Sequence, residues 1–168
     1  DKYYGNKNAF KSLVNACHEQ GIAVILDVVF NHAFSTAPIC QLYWDDAASA
    51  PTANSPYANI VAKHPFNVGY DLNHESSAMK YYTKRILKYL LEEFRIDGFR
   101  FDLSKGFTQK NSGTDAGAMS AYDASRIAIW TDYYNAVQSY SPGAYHILEH
   151  FADNSEEVEL SKKGMMFW

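Results

Sequence analysis

The stretch IDGFRFDLSKG, residues 96–106, combines the pattern of a strand with two charged side chains. Side chains along a strand alternate between its faces, which gives two sets here: Phe99, Phe101 and Leu103, and Gly98, Arg100 and Asp102. We expect the first set to pack on helices and the second to face inward near the carboxyl end of the strand. Burying two charges is costly unless they are paired and hydrogen-bonded. Taken alone, the stretch therefore fits either a structural ion pair or a functional site.

Three other segments also predict strands. Residues 22–30, IAVILDVVF, form an almost continuous apolar run rich in β-branched side chains, which indicates a parallel strand buried on both faces. Residues 144–151, AYHILEHF, predict a further strand, and MMFW at residues 165–168 begins another. Helical spacing predicts helices before and between these strands, and this alternation is typical of a parallel α/β sheet.

The predicted helices have recognisable ends and faces. Asn8 is expected to cap the first helix and Gly21 to end it. A long helix begins near Ser77, and another carries Arg126, which we expect on the surface or in a helix–barrel ion pair. The acidic residues of NSEEVEL, residues 154–160, suit the first turn of a helix.

Residues 33–76 show no clean periodicity and are expected to form a long loop or small subdomain inserted within one domain, residues 1–168. Asp45, Asp46 and Asp71 in this region could offer oxygen ligands to calcium. For each of them taken singly, a solvated loop acid is the expected state.

Composition excludes several classes of function. The chain has a formal net charge of −4 and no basic run, which argues against nucleic-acid binding. No apolar run approaches the length that spans a membrane. Its two cysteines show no zinc-like Cys/His spacing, and we expect no organic cofactor.

Carboxylates stand near the carboxyl ends of three predicted strands: Asp27, Asp102 and Glu149. That edge is where parallel α/β sheets build active sites. Neighbouring strands lie about 4.8 Å apart, so two such carboxylates can approach the roughly 5 to 5.5 Å separation of a retaining glycosidase. Arg100 favours the ionised form of Asp102, which suits a nucleophile. Glu149 fits the general acid less well, because His150 is adjacent in sequence, although neighbours along a strand point to opposite faces.

At these residues the sequence resembles the α-amylase superfamily of glycoside hydrolases. The segments that carry the resemblance are DVVFNH at residues 27–32, GFRFDLSKG at residues 98–106 and ILEHF at residues 147–151. They occur in the family's order, and the first two are highly specific together. The resemblance implies a partial (β/α)8 barrel that runs from about the second helix to the sixth strand.

The resemblance also implies roles for single residues. Asp102 would be the nucleophile, Glu149 the acid/base and Arg100 the residue that orients the nucleophile. Substrate contacts would come from His32 and Lys105, with Asp27 bracing the site. Asn31 matches a calcium ligand of the family. The expected substrate is an α-glucan or oligosaccharide.

The sequence departs from the family's pattern in two places. Gly106 stands where many α-amylases have histidine, and the fourth signature region, with its histidine and third aspartate, is absent from these residues. A whole barrel needs about 250 residues, so the resemblance implies a fragment that by itself lacks activity. A transglycosylase or isomerase of the same superfamily, and a non-catalytic carbohydrate-binding relative, remain alternatives.

Overall fold

The computed structural model describes residue 3 and residues 5–168. The helices are α1 (Lys7–Glu19), α2 (Pro38–Gln41), α3 (Ser77–Phe94), α4 (Ala116–Ser120), α5 (Ala124–Tyr140) and α6 (Asn154–Ser161), with a 3-10 turn at Ser104–Phe107. The strands are β1 (Ile25–Val28), β2 (His32–Ala33), β3 (Trp44–Asp45), β4 (Ala50–Pro51), β5 (Tyr70–Asp71), β6 (Gly98–Phe101), β7 (Tyr145–Leu148) and β8 (Met166–Phe167).

The main sheet has four strands in the order β1-β6-β7-β8, and all of its pairings are parallel. Asp27 lies opposite Arg100, and Arg100 lies opposite Ile147, so one row of inward-facing residues crosses the sheet. Along the chain, α3 precedes β6, α5 connects β6 to β7, and α6 connects β7 to β8. The predicted parallel α/β sheet is therefore confirmed.

The helix-facing side of β6 anchors the core. Phe99 and Phe101 are fully buried, and the ring of Phe101 lies 5.0 Å from that of Trp130 on α5. Leu103 does not extend this face as expected, because β6 ends at Phe101 and Leu103 adopts a left-handed conformation with φ of 44°. The chain thus turns away from the sheet immediately after Asp102.

Two predicted features of the first helix and strand are wrong. The side chain of Asn6, not Asn8, caps α1 by accepting a hydrogen bond of 3.0 Å from the amide of Ala9. Strand β1 is not buried on both faces, and the Asp27 side chain is 68% exposed. The reason is that β1 lies at the edge of the sheet, with β6 as its only neighbour among the described strands.

Residues 33–76 contain short elements rather than one continuous loop. β2 pairs antiparallel with β5, and β3 pairs antiparallel with β4. A separate small core holds this region against the start of α3; its buried members are Ile39, Cys40, Ala58, Leu72 and Met79. The β2–β5 pairing places His32 and Asp71 opposite each other, next to the carboxyl end of β1.

Among the described residues, no helix combines the length and the apolar character that crossing a bilayer requires.

Candidate active site

One guanidinium group joins three carboxylates at the carboxyl edge of the sheet. Nη1 of Arg100 lies 2.8 Å from Oδ1 of Asp27 and 2.9 Å from Oδ1 of Asp102, and Nη2 lies 3.0 Å from Oε2 of Glu149. The parallel register explains this meeting, because it sets Asp27 and Arg100 side by side and brings the end of β7 next to Asp102. The structure therefore brings together the four charged residues that the sequence placed at the strand ends.

The charge of Arg100 is well supported. Burial opposes its ionised form, but hydrogen bonds to Asp27 and Asp102 and the charge of Glu149 outweigh that cost. The net effect raises the pKa of Arg100 above its ordinary value. Arg100 is therefore a fixed cation against which the carboxylates are oriented.

The segment after Asp102 also holds Glu149. The amide of Leu103 donates a hydrogen bond of 2.8 Å to Oε2 of Glu149, and the amide of Ser104 donates one of 3.0 Å to its carbonyl oxygen. Both polar contacts of the Glu149 side chain, with Leu103 and with Arg100, involve the same oxygen, Oε2. Within the described part of the chain, the other oxygen, Oε1, has no such polar contact.

His32 and Lys105 lie near this carboxylate group, close enough to sense the charges of Asp102 and Glu149 respectively. Nδ2 of Asn31 lies 3.2 Å from Nδ1 of His32, so the neutral ring accepts at Nδ1 and carries its hydrogen on Nε2. Burial lowers the pKa of His32, although the charge of Asp102 opposes that shift. Nζ of Lys105 donates to Oγ of Ser120 at 3.1 Å and to the carbonyl oxygen of Phe151 at 3.3 Å.

Asn31, the predicted calcium ligand, faces a crowded space. Its Oδ1 is buried without a hydrogen-bond partner, and that atom lies 1.8 Å from where a Cβ on Gly106 would stand. Nε2 of His64 lies 2.8 Å from the same point and 3.4 Å from Oδ1 of Asp71. Asp71 is fully buried, so the expectation of a solvated loop acid is wrong for this residue.

These side chains alone do not make up a calcium site. Calcium takes six to eight oxygen ligands, whereas an imidazole nitrogen of His64 stands beside the unpartnered oxygens of Asn31 and Asp71. Within the described part of the chain, no group of three or more His, Cys, Asp or Glu side chains could hold a metal. We therefore derive no step through calcium.

Sequence reasoning missed a buried polar cluster behind the carboxylates, made of Ser104, Arg126, His150 and Glu156. Arg126 was expected on the helix surface or in a helix–barrel pair, and it is 1% exposed in an ion pair with the fully buried Glu156 of α6. A sequence signal existed for His150: it alternates with Glu149 along the strand and so faces the helices, where a polar ring needs polar partners.

Comparison with known proteins finds similar sequences. A family model described as the catalytic domain of alpha amylase matches residues 1–68. Alpha-amylase 3 of Dictyoglomus thermophilum is 28% identical over 96% of this chain and 33% of its own length. Cyclomaltodextrinase of Geobacillus thermopakistaniensis is 27% identical over 91% of this chain and 25% of its own length. The chain is thus similar to α-amylases and a cyclomaltodextrinase.

Similar solved structures support the fold. Eubacterium rectale Amy13B aligns with 98% of this chain and 34% of its own at a TM-score of 0.73 and 24% identity. A pullulanase from Anoxybacillus sp. LM18-11, complexed with maltotriose, aligns with 87% of this chain and 18% of its own at a TM-score of 0.59 and 24% identity. These alignments confirm a partial (β/α)8 barrel.

The matches cover only part of each relative. The chain spans about a third of the length of Alpha-amylase 3 and about a quarter of that of the cyclomaltodextrinase. The residues matched by the family model include Asp27 and His32 and end before Arg100, Asp102 and Glu149. The roles of these three residues therefore remain proposals.

Proposed function

We propose that this chain is part of the catalytic domain of a retaining glycoside hydrolase that acts on α-glucans such as starch and maltooligosaccharides. The observation that carries the proposal is the contact of one guanidinium, Arg100, with Asp27, Asp102 and Glu149 at the carboxyl edge of the sheet. Two carboxyl groups at that edge can serve as the nucleophile and the general acid/base of a double displacement at an anomeric carbon. Relatives named alpha-amylase, cyclomaltodextrinase and pullulanase support the substrate class.

The proposed reaction has two steps. Asp102 attacks the anomeric carbon, the glycosidic bond breaks, and Glu149 gives its proton to the departing oxygen. Glu149, now ionised, takes a proton from water, the water oxygen attacks the same carbon, and the bond to Asp102 breaks. Arg100 orients Asp102 through its contact with Oδ1, and Arg100 and Leu103 bind Oε2 of Glu149, which leaves Oε1 to carry the proton.

The remaining site residues have proposed roles toward the sugar. His32 donates from Nε2 to a hydroxyl of the sugar at the cleavage subsite. Lys105 has one N–H beyond its contacts with Ser120 and Phe151, and that hydrogen suits a hydroxyl on the leaving-group side. Asp27 braces Arg100 from β1.

Kinetics of paired variants test the proposal in the full-length protein. We expect Asp102→Asn and Glu149→Gln each to lower kcat for maltoheptaose by at least about a thousandfold, as the loss of a catalytic group does. The exposed acids Asp46 and Glu19 offer matched controls, because Asp46→Asn and Glu19→Gln remove the same charge far from Arg100. Undiminished turnover in either site variant would overturn the assignment.

Product analysis of the same reactions separates hydrolysis from transfer. Water as acceptor gives only shorter oligosaccharides, whereas a transglycosylase also gives products longer than maltoheptaose. An accumulation of longer products would replace hydrolase with transferase while leaving the two carboxylate roles in place.

A further inference from the structure

We propose that the buried chain Arg126–Glu156–His150–Ser104 is a positioning network that holds the two proposed catalytic carboxylates in register. The inference rests on the proposed function and assigns roles to residues that do not touch substrate. It starts from Ser104, which lies two residues after Asp102 and contacts Glu149 directly.

Ser104 binds the backbone of Glu149 twice. Its amide and its Oγ lie 3.0 Å and 2.9 Å from the carbonyl oxygen of Glu149, and its own carbonyl oxygen accepts a hydrogen bond of 3.0 Å from Nε1 of Trp130. Leu103 and Phe151, which flank this contact, have φ angles of 44° and 49°. Left-handed conformations cost free energy in residues other than glycine, so the surrounding contacts must hold these two turns in place.

His150 supports Ser104 from the helix side. Nδ1 of His150 lies 2.7 Å from Oγ of Ser104, and Nε2 lies 2.8 Å from Oε1 of Glu156. Burial lowers the pKa of His150, and the contact with Glu156 opposes that shift without reversing it. In the neutral ring the hydrogen is on Nε2, because it faces a carboxylate, so Nδ1 is an acceptor. The single hydrogen of the Ser104 hydroxyl is then shared between Nδ1 of His150 and the carbonyl oxygen of Glu149.

The pair of Arg126 and Glu156 closes the network. Nε and Nη2 of Arg126 lie 2.6 Å and 2.8 Å from the two carboxylate oxygens of Glu156. Burial opposes ionisation of Glu156, but hydrogen bonds from His150 and Arg126 and the charge of Arg126 outweigh it, so the pKa of this carboxyl is lowered.

The other guanidinium hydrogens of Arg126 bind backbone carbonyls of Lys105, Met119 and Ala121 at 3.0 Å, 2.9 Å and 3.0 Å. All five donors of the guanidinium are thereby used. Arg126 therefore binds the backbone at Lys105, the residue that follows Ser104.

A role in stability alone explains this arrangement poorly. Buried ion pairs contribute little net stability compared with apolar residues of similar volume. An apolar replacement would fill the space but could not bind the carbonyl of Lys105 or the hydroxyl of Ser104. The network joins residues 103–105 to residues 149–151. The first segment follows Asp102 directly, and the second begins with Glu149.

The test compares two buried His→Phe variants, one within β7 and one just after its end. His150→Phe breaks the contacts with Ser104 and Glu156, whereas His146→Phe removes a ring whose nitrogens have no hydrogen-bond partner. In the full-length protein we expect His150→Phe to lower kcat for maltoheptaose about ten- to a hundredfold with KM changed less than about threefold, as a small misplacement of catalytic groups does. His146→Phe should keep the wild-type kcat.

Ser104→Ala keeps the test decisive if His150→Phe does not fold, because it removes only one buried oxygen atom. We expect it to lower kcat in the same range, with far-ultraviolet circular dichroism and KM close to those of the unaltered protein. Unchanged kcat in Ser104→Ala, or an equal loss in His146→Phe and His150→Phe, would overturn the positioning role. Unchanged kcat in Asp102→Asn would instead overturn the proposed function, so the two failures are distinguishable.

Discussion

At the scale of single residues, Arg100 is the cation that contacts all three carboxylates of the site. Three carboxylates share its guanidinium, so the group as a whole carries an excess of negative charge when all are ionised. A retaining glycosidase uses two carboxyl groups that lie close together, and this cluster offers two within the reach of a single cation.

His146 is a buried titratable residue that has no polar partner among the described residues. Its ring is fully buried among aromatic side chains, 4.6 Å from the ring of Phe101, and both ring nitrogens lack hydrogen-bond partners. Burial lowers the pKa of His146 from 6.5 to about 3. Between these values the unfolded chain binds a proton that the folded chain does not, so stability falls as the pH drops below about 6.5.

His146→Phe should remove this acid sensitivity. We expect the variant to raise the free energy of unfolding by about 1 kcal/mol at pH 7, because two unpartnered polar atoms disappear from the core. Its advantage over the unaltered protein should grow by about 1.4 kcal/mol for each pH unit below pH 6.5. Urea unfolding at pH 7 and pH 5 measures this difference; an equal advantage at both values would contradict the account.

At the scale of secondary-structure elements, the site depends on the close approach of β6 and β7. Gly98 lies opposite Tyr145 in the parallel register, and a Cβ on Gly98 would stand 2.3 Å from the carbonyl oxygen of Tyr145. That contact is with backbone, which cannot move without disturbing the strand pairing. The absence of a side chain at Gly98 therefore allows the spacing that brings Asp102 and Glu149 to the same guanidinium.

Gly98→Ala should separate these strands. We expect it to lower the free energy of unfolding by about 1 to 3 kcal/mol, the usual cost of overpacking, as measured by urea unfolding. Gly117→Ala in α4 is the control, because its nearest contact is a side-chain oxygen of Asp115 at 3.2 Å, which can give way. Equal stability of the two variants would show that β6 and β7 tolerate a methyl group between them.

The periodicity of the sequence predicted the elements better than their ends. Alternation along residues 96–103 identified Phe99 and Phe101 as core and Arg100 as inward-facing, because one strand contains that information. It could not show that the strand stops at Phe101, since the left-handed turn at Leu103 depends on hydrogen bonds to Glu149. These partners are 46 residues apart in the sequence.

At the scale of the whole molecule, local sequence patterns also could not predict contacts between helices that are far apart in the sequence. Arg126 and Glu156 lie 30 residues apart on α5 and α6, and each taken alone resembles an ordinary helix residue. Their burial follows from how α5 and α6 pack over the end of β7, which no local pattern encodes. The sequence therefore predicted the strand-end carboxylates and the parallel sheet, and missed the network behind them.

The inner face of the described sheet leaves apolar side chains exposed. Tyr145, Met166 and Trp168 are 44%, 40% and 65% exposed, and β1 and β8 are the edges of the sheet among the described strands. Open strand edges and apolar surface promote association between chains. The 168 residues studied as an isolated chain should therefore self-associate.

Light scattering after size-exclusion chromatography measures this tendency. We expect the isolated chain to exceed its monomer mass of 19.0 kDa increasingly as its concentration rises. Tyr145→Lys combined with Met166→Lys should reduce the effect, whereas Tyr81→Lys, at a position that is 68% exposed on α3, should not. A monomer at every concentration would contradict the prediction.

The most direct test of the central claim is to trap the covalent intermediate. Glu149→Gln in the full-length protein, given an α-maltotriosyl fluoride whose fluoride leaves without protonation, should form the glycosyl-enzyme and hydrolyse it slowly, because the base is missing. Peptide mass spectrometry should then find the added maltotriosyl mass on Asp102, with no such mass in a variant that also carries Asp102→Asn. A label on another residue, or none while the fluoride is consumed, would contradict the account.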